Sequence, residues 1–390
     1  MRLSAEPAVW SEDDVVSAPC GSGWRAAVIG TVLSVVGCVV VVAMVVGAVR
    51  TLVHRAGPVV GDPGVAAELV ALAGRRARRV AAVVIDLNAT VPTRMAFIGA
   101  DADTPFEIGS VTKGLTGMLL ANAIERGEAD LDATLAQLLP ETGGSPIGSV
   151  RLSELATHTS GLPRLPRSPV TLLRLVAAGY TGVDPYWGTT PATVIAAARR
   201  QRLTGRGRFR YSNLGAAVLG HGLARAAGRD YADLLKRRVF EPLRMTGSGT
   251  DLRPGVRRGW TAIGRRSRPW RACGYGPAGG GVTSTPADIS RLVIGLLDGT
   301  APGRAAINSF APIEPGPPNR SSGLFWIIDR DQPSGRDMVW HNGQTGGYSA
   351  FLVLYPQARR AVAVLADTAN AARQQRVALG LTRWLTNTAR

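Results

Sequence analysis

Lysine is nearly missing from this chain. Of 45 basic side chains only Lys113 and Lys236 are lysine, so arginine carries almost all of the formal net charge of +17. Arginine does not give up its proton in a protein. A nitrogen base other than histidine therefore has two candidates in 390 residues. Histidine is scarce as well, with four in the whole chain. Cysteine is limited to Cys20, Cys38 and Cys273, whose spacing suggests neither a zinc site nor a disulfide framework. No metal and no organic cofactor are expected. The Gly-x-Ser-x-Gly and His-Glu-x-x-His patterns of two hydrolase classes are absent, and no internal repeat is present.

The arginine excess draws anionic partners such as nucleic acid, acidic lipid or a wall polymer. It concentrates in two stretches, Arg199 to Arg210 and Arg253 to Arg271. The second contains Trp260 and Trp270, an aromatic–basic mixture that stacks on bases. No nucleic-acid-binding motif accompanies the charge. No nucleic-acid partner is expected, and an anionic cell-envelope polymer remains the partner this surface would suit.

One run is unlike the rest. Ala26 to Val49 is 24 residues without a charge. As a helix it is about 36 Å long, against a hydrocarbon core of about 30 Å. This predicts a transmembrane helix over 26–49, between a tail at 1–25 and a linker at 50–64. A cleaved signal peptide has a shorter apolar core behind a basic start, whereas this run follows the acidic Glu12-Asp13-Asp14. Val35-Val36-Gly37-Cys38 loosely matches a lipoprotein cleavage box, but the apolar run continues past Cys38. Arg25 flanks one side and Arg50 and Arg55 the other. Such flanks do not fix the orientation of a long domain.

Downstream, Ala56 to Gly64 reads as a loop and Val65 to Leu72 as a helix. Val80 to Ile85 is a β-branched run, hence a strand, and pairs as a hairpin with Arg94 to Gly99. The middle of the chain has apolar residues at helical spacing: Leu115 to Glu125, Leu172 to Ala178, Ala192 to Arg199, Leu214 to Ala227 and Tyr231 to Phe240. Ser284-Thr285-Pro286-Ala287-Asp288 has the hydroxyl cap, early proline and early acid of a helix start. Strand patterns return at Gly323 to Ile328, Ser349 to Tyr355 and Ala361 to Ala366, and a last helix covers Ala371 to Leu385. Strands at both ends and helices between them predict an α/β domain over 65–390. Its antiparallel sheet is built from both chain ends and flanked by helices, with an inserted, mainly helical lobe. The cleft between sheet and insert is the natural place for a site.

Ser110-Val111-Thr112-Lys113 follows a strand and opens a helix, where residues three apart share a face. A serine hydroxyl is a weak nucleophile until a base takes its proton. A lysine can be that base if burial or nearby cations lower its pKa. The helix start also supplies backbone N–H groups for an oxyanion. Alone, the pair reads equally well as an exposed helix face. Tyr211-Ser212-Asn213 adds a tyrosine which, beside a lysine, can exist partly as phenolate and shuttle protons. Its asparagine can orient the lysine and bind a substrate amide. His341-Asn342-Gly343-Gln344 adds glycine-permitted close approach of backbone, as an edge strand facing a substrate requires. His158-Thr159-Ser160 is a rival nucleophile segment, but it lacks a lysine partner and reads as structural.

In this order the three segments resemble the motifs of the β-lactamase-related serine hydrolases, which group class C β-lactamases, DD-peptidases and related esterases. Leu155 to Pro163 and Gly279 to Asp288 are similar to further stretches of that family, and the resemblance runs from about Val65 to Leu385. It implies Ser110 as nucleophile, Lys113 and Tyr211 as general acid and base, and Asn213 as the residue that positions substrate and lysine. The N–H groups of Ser110 and Gln344 would form the oxyanion hole. His341 stands where β-lactamases carry a lysine, and a mostly neutral histidine offers no permanent charge to a substrate carboxylate. An ester, a D-amino-acid peptide or a lactam is then the implied substrate. A catalytically silent, penicillin-binding-like protein that binds wall fragments or a protein partner is the alternative. The resemblance also implies an anchored domain outside the cytoplasmic membrane, with the N-terminus inside.

Overall fold

The computed structural model describes residues 57–74, 77–250, 255–271, 273–330 and 336–388. The tail and the apolar run at 26–49 lie outside the described residues. Among the described residues no helix is long and apolar enough to cross a membrane.

The main sheet has nine strands in the order β1-β3-β2-β13-β12-β11-β10-β9-β8, and every neighbouring pair is antiparallel. From the N-terminal side come β1 (Val59–Gly61), β2 (Val80–Asp86) and β3 (Thr93–Ile98). The C-terminal side supplies β8 (Ala311–Pro312), β9 (Arg320–Ser322), β10 (Ile327–Arg330), β11 (Asp337–Gln344), β12 (Ser349–Tyr355) and β13 (Arg360–Ala366). The two chain ends meet where β2 pairs with β13, from Arg360 against Asp86 to Ala366 against Val80. The predicted sheet from both termini is thus the observed one. Two small ladders, β4 (Phe106–Glu107) with β7 (Thr283–Ser284) and β5 (Gly259–Trp260) with β6 (Arg266–Ser267), lie outside it.

Ten α-helices occur among the described residues. They are α1 (Pro63–Ala73), α2 (Val111–Glu125), α3 (Leu135–Leu138), α4 (Leu152–Ala156), α5 (Pro169–Thr181), α6 (Pro191–Arg199), α7 (Asn213–Ala226), α8 (Tyr231–Leu235), α9 (Pro286–Asp298) and α10 (Ala371–Thr388).

Successive side chains of a strand point to opposite faces, and β2 is buried on both. Ala81, Val83 and Ile85 join one apolar cluster with α2, α7 and α9. Val80, Ala82 and Val84 join another with Val65 and Leu69 of α1 and Leu381 and Leu385 of α10. This double burial explains why β2, β12 and β13 read as continuous apolar runs. α9 starts as its signals predict, with Thr285 accepting from Asp288 N and Pro286 in the first turn.

The fold departs from expectation in three places. Val59–Gly61, inside the expected loop, forms an edge strand on β3; its valines stay half-exposed because backbone bonds alone hold it. Gly323 to Trp326 is not strand. Leu324, Phe325 and Trp326 turn inward as a core plug, with Phe325 at φ 64° and its N–H bonded to Ala156 O. The helix expected to reach Phe240 ends at Leu235 and continues over Lys236–Phe240 as a π-helix.

Candidate active site

The β4–β7 ladder delivers the chain to Ser110. Ile108 N donates to Val282 O at 3.1 Å, Gly109 turns at φ 52°, and α2 begins. Ser110 is the cap residue of α2, yet its side chain makes no capping bond. Its hydroxyl is left to Lys113, whose Nζ lies 3.0 Å from Ser110 Oγ and 2.5 Å from Ala278 O. Lys113 is fully buried. Burial, helped by the positive Arg164, pushes its ammonium well below the usual lysine range. A neutral amine can donate one N–H to Ala278 O and offer its lone pair to the Ser110 proton.

The Tyr211 ring sits 4.9 Å from Lys113 Nζ, and its hydroxyl is hydrogen-bonded to Ser110. Desolvation raises this phenol above its ordinary value, opposed by the Ser110 bond and by Arg164. Burial thus favours the neutral phenol over the expected partial phenolate, and the group of the pair that is shifted down is Lys113.

His341 lies on β11. β10 pairs only with Asp337 to Trp340, so His341 to Gln344 pair with β12 and leave their other edge free. The strand is interior to the sheet at one end and an edge at the other, and the edge half faces the serine. A Cβ on Gly343 would lie 1.9 Å from Ile108 O and 3.1 Å from Ser110 N. One on Gly109 would lie 2.5 Å from Gln344 N. Two backbone amides thus converge because neither position carries a side chain. His341 is buried, with its Nδ1 donating to Asn342 O at 2.6 Å. Burial above all pushes its imidazole down to about 3, so it is neutral at pH 7.

Asn213 is nine-tenths buried. Its Nδ2 donates to the Tyr186 hydroxyl at 3.0 Å, and its Oδ1 has no protein partner. No hydrogen bond joins it to Lys113 among the described residues, so the lysine-orienting role expected of it falls to the Ala278 carbonyl. The Gln344 side chain turns away to accept from Ala371 N at 3.0 Å.

A cavity of about 500 Å³ opens over Ser110. Ser110, Asn213 and Gln344 line it, together with Arg164, Tyr186 and Trp270; Lys113 and His341 lie buried beside it. Sequence reasoning missed Arg164, Tyr186 and Trp270. It also missed Glu107, buried two residues before Gly109, whose Oε1 accepts from Trp270 N at 2.6 Å. Burial, against the hydrogen bond from Trp270 N, lifts this carboxyl to about 8. A single acid in an apolar strand was the available signal. The rival His158 is structural: its Nδ1 accepts from Ser212 N at 3.2 Å, and its ring packs 4.6 Å from that of Tyr211. Among the described residues no group of His, Cys, Asp and Glu is placed to hold a metal.

An antiparallel sheet closed by both chain ends, beside a half-buried serine hydrogen-bonded to a fully buried lysine, is the architecture of a class of serine hydrolases. The Beta-lactamase family model matches residues 49–382, and the chain belongs to that family. It is a β-lactamase-related serine hydrolase. It is 25% identical over 347 residues to the D-alanyl-D-alanine-carboxypeptidase/endopeptidase AmpH of Escherichia coli (strain K12), covering 81% of this chain and 87% of that protein. A human putative beta-lactamase-like 1 is 30% identical over 292 residues, covering 67% of this chain and 54% of its own length. The fold is similar to a class C beta lactamase from Rhodobacter sphaeroides, with a TM-score of 0.69 at 20% identity over 83% of this chain and all of that one. A D-stereospecific amidohydrolase from Streptomyces sp. gives 0.65 at 20% identity, over 80% of this chain and 96% of that one.

Proposed function

We propose that this protein is a membrane-anchored hydrolase that forms an acyl-enzyme on Ser110, with an ester, a D-amino-acid peptide or a lactam as its substrate. The supporting observation is a fully buried Lys113, depressed in pKa, with Nζ 3.0 Å from Ser110 Oγ. Lys113 takes the hydroxyl proton as Oγ bonds to the substrate carbonyl carbon. The Ser110 and Gln344 N–H groups hold the oxyanion. Tyr211 gives its proton to the leaving oxygen or nitrogen as that bond breaks, and regains one from the Lys113 ammonium. Water then bonds to the acyl carbon as the same pair takes its proton, and the acid leaves as Ser110 Oγ receives that proton back. The unpartnered Asn213 Oδ1 accepts from a substrate amide N–H, which favours a peptide or lactam side chain over a bare ester. The E. coli relative named for D-alanyl-D-alanine cleavage and the D-stereospecific structural neighbour point the same way. Neutral His341 adds no charge where β-lactamases carry a lysine and leaves Arg164 as the cation of the cavity lining, so β-lactam turnover is expected to be slow.

The anchor is the uncharged run 26–49, with the catalytic domain outside the cytoplasmic membrane; protection of that domain from protease in intact cells would reverse the topology. An acylating serine-hydrolase probe tests the chemistry. The protein should label, and Ser110→Ala should not. Undiminished labelling of the variant would remove Ser110 as the nucleophile.

A further inference from the structure

Eight of the twelve large hydrophobic side chains exposed among the described residues fall between Val170 and Trp187. On α5, Leu172, Leu173 and Val176 are 65, 69 and 50% exposed. Residues three and four apart share a helix face, so these three and Tyr180 form an outward stripe. Leu175 and Ala178, on the other side of the helix, line the cavity over Ser110. Single exposed apolar residues are ordinary, whereas a contiguous set on one helix marks a docking surface.

The charge around it has one sign. Between Glu154 and Asp230 the chain has eleven arginines and one carboxylate, Asp184. Arg167, Arg174 and Arg200 border a groove of about 400 Å³ along α5. Among the described residues no salt bridge holds any of them. An apolar stripe with an arginine flank suits the boundary between acyl chains and anionic headgroups. A second copy of this chain would bring the same positive lobe against itself, a repulsive arrangement.

The geometry points to α5 as a membrane-docking helix: its stripe lies in a bilayer surface rich in anionic lipid, with Arg167, Arg174 and Arg200 at the phosphates. The same helix walls the Ser110 cavity, so docking opens the site at the interface, to an amphiphilic substrate held in the lipid. Delivery of substrate from the lipid rests on the hydrolase reading; the docking itself does not.

The test uses the full chain in nanodiscs of phosphatidylcholine, with or without phosphatidylglycerol, and a photoactivatable phospholipid whose crosslinks are mapped by mass spectrometry. Residues 169–187 should be labelled in the anionic discs and at least tenfold less in the neutral ones. Leu172→Glu/Leu173→Glu should lose that label at least tenfold, keep its turnover of a short water-soluble ester, and turn over a disc-dispersed long-chain ester several-fold more slowly. Arg167→Glu/Arg200→Glu should lose the preference for anionic discs. Labelling confined to 26–49, or crosslinking of 169–187 to a second copy, would overturn the docking. Equal slowing of both esters would overturn delivery from the lipid alone. A protein inert toward esters and D-amino-acid peptides and unreactive with the acylating probe, yet labelled at 169–187, would sink the hydrolase reading and leave the docking standing.

Discussion

Two apolar helices meet the same cavity, α2 through its cap residue Ser110 and α5 through Leu175 and Ala178, and each carries one basic side chain, Lys113 and Arg174. Their surroundings are opposite. α2 buries twelve of its fifteen residues, Lys113 included. On α5 no described side chain is fully buried. Composition alone therefore does not decide what an apolar helix does. Where sheet and lobe enclose it, loss of water turns a cation into a base. Where one face is left open, the same kind of sequence becomes a surface in need of a partner.

The widest expected contrast concerns the two basic side chains. Lys113→Met should slow probe acylation by roughly 10²- to 10⁴-fold, the range lost with a general base, whereas Arg174→Met should change it little. Lys113→Arg should fail like the methionine variant, since arginine keeps its proton. A stopped-flow acylation rate for Lys113→Arg within threefold of wild type would end the base assignment. A smaller contrast concerns packing. Leu115→Ala on α2 should cost about 2–5 kcal/mol, and Leu172→Ala on α5 should stay within about 0.5 kcal/mol. Comparable losses in denaturant melts would mean that α5 is buried after all.

The smallest effect per step of the measurement, a slope with pH, lies beneath the cavity wall. Glu107 is lifted from 4.5 to about 8. Between those values the folded protein keeps a proton that the unfolded chain has shed. The stability this contributes is complete below pH 4.5 and is lost as pH rises through 8, with a slope of at most about 1.4 kcal/mol per pH unit. Glu107→Gln should flatten the slope. Thermal melts of both proteins from pH 4 to 9 check it, and parallel curves would show that Glu107 ionises normally.

What the sequence disclosed follows from the kind of signal each feature leaves. β2, β12 and β13 were legible because burial on both faces demands unbroken apolar runs. Ser110, Lys113 and Tyr211 stood out because few side chains suit the chemistry the resemblance implies, and lysine is rare here. Gly323 to Trp326 misled because an apolar run that plugs a core has no period to separate it from a strand. Arg164, Tyr186 and Trp270 left no local trace: they reach the cavity only through tertiary packing, and one arginine among so many carries no information. The resting state of Tyr211 was likewise a property of its desolvation, which no spacing encodes.

The seam between β2 and β13 has a consequence in time. Asp86 waits for Arg360, and Ser110 for Gly343. A chain emerging in sequence order has made Ser110 and Lys113 long before the strand that completes the site exists. Such long-range pairing is slow to form and leaves strand edges open meanwhile. Activity should therefore appear all at once, late in synthesis, and a nascent chain cut before Ala366 should be inert however intact its serine and lysine.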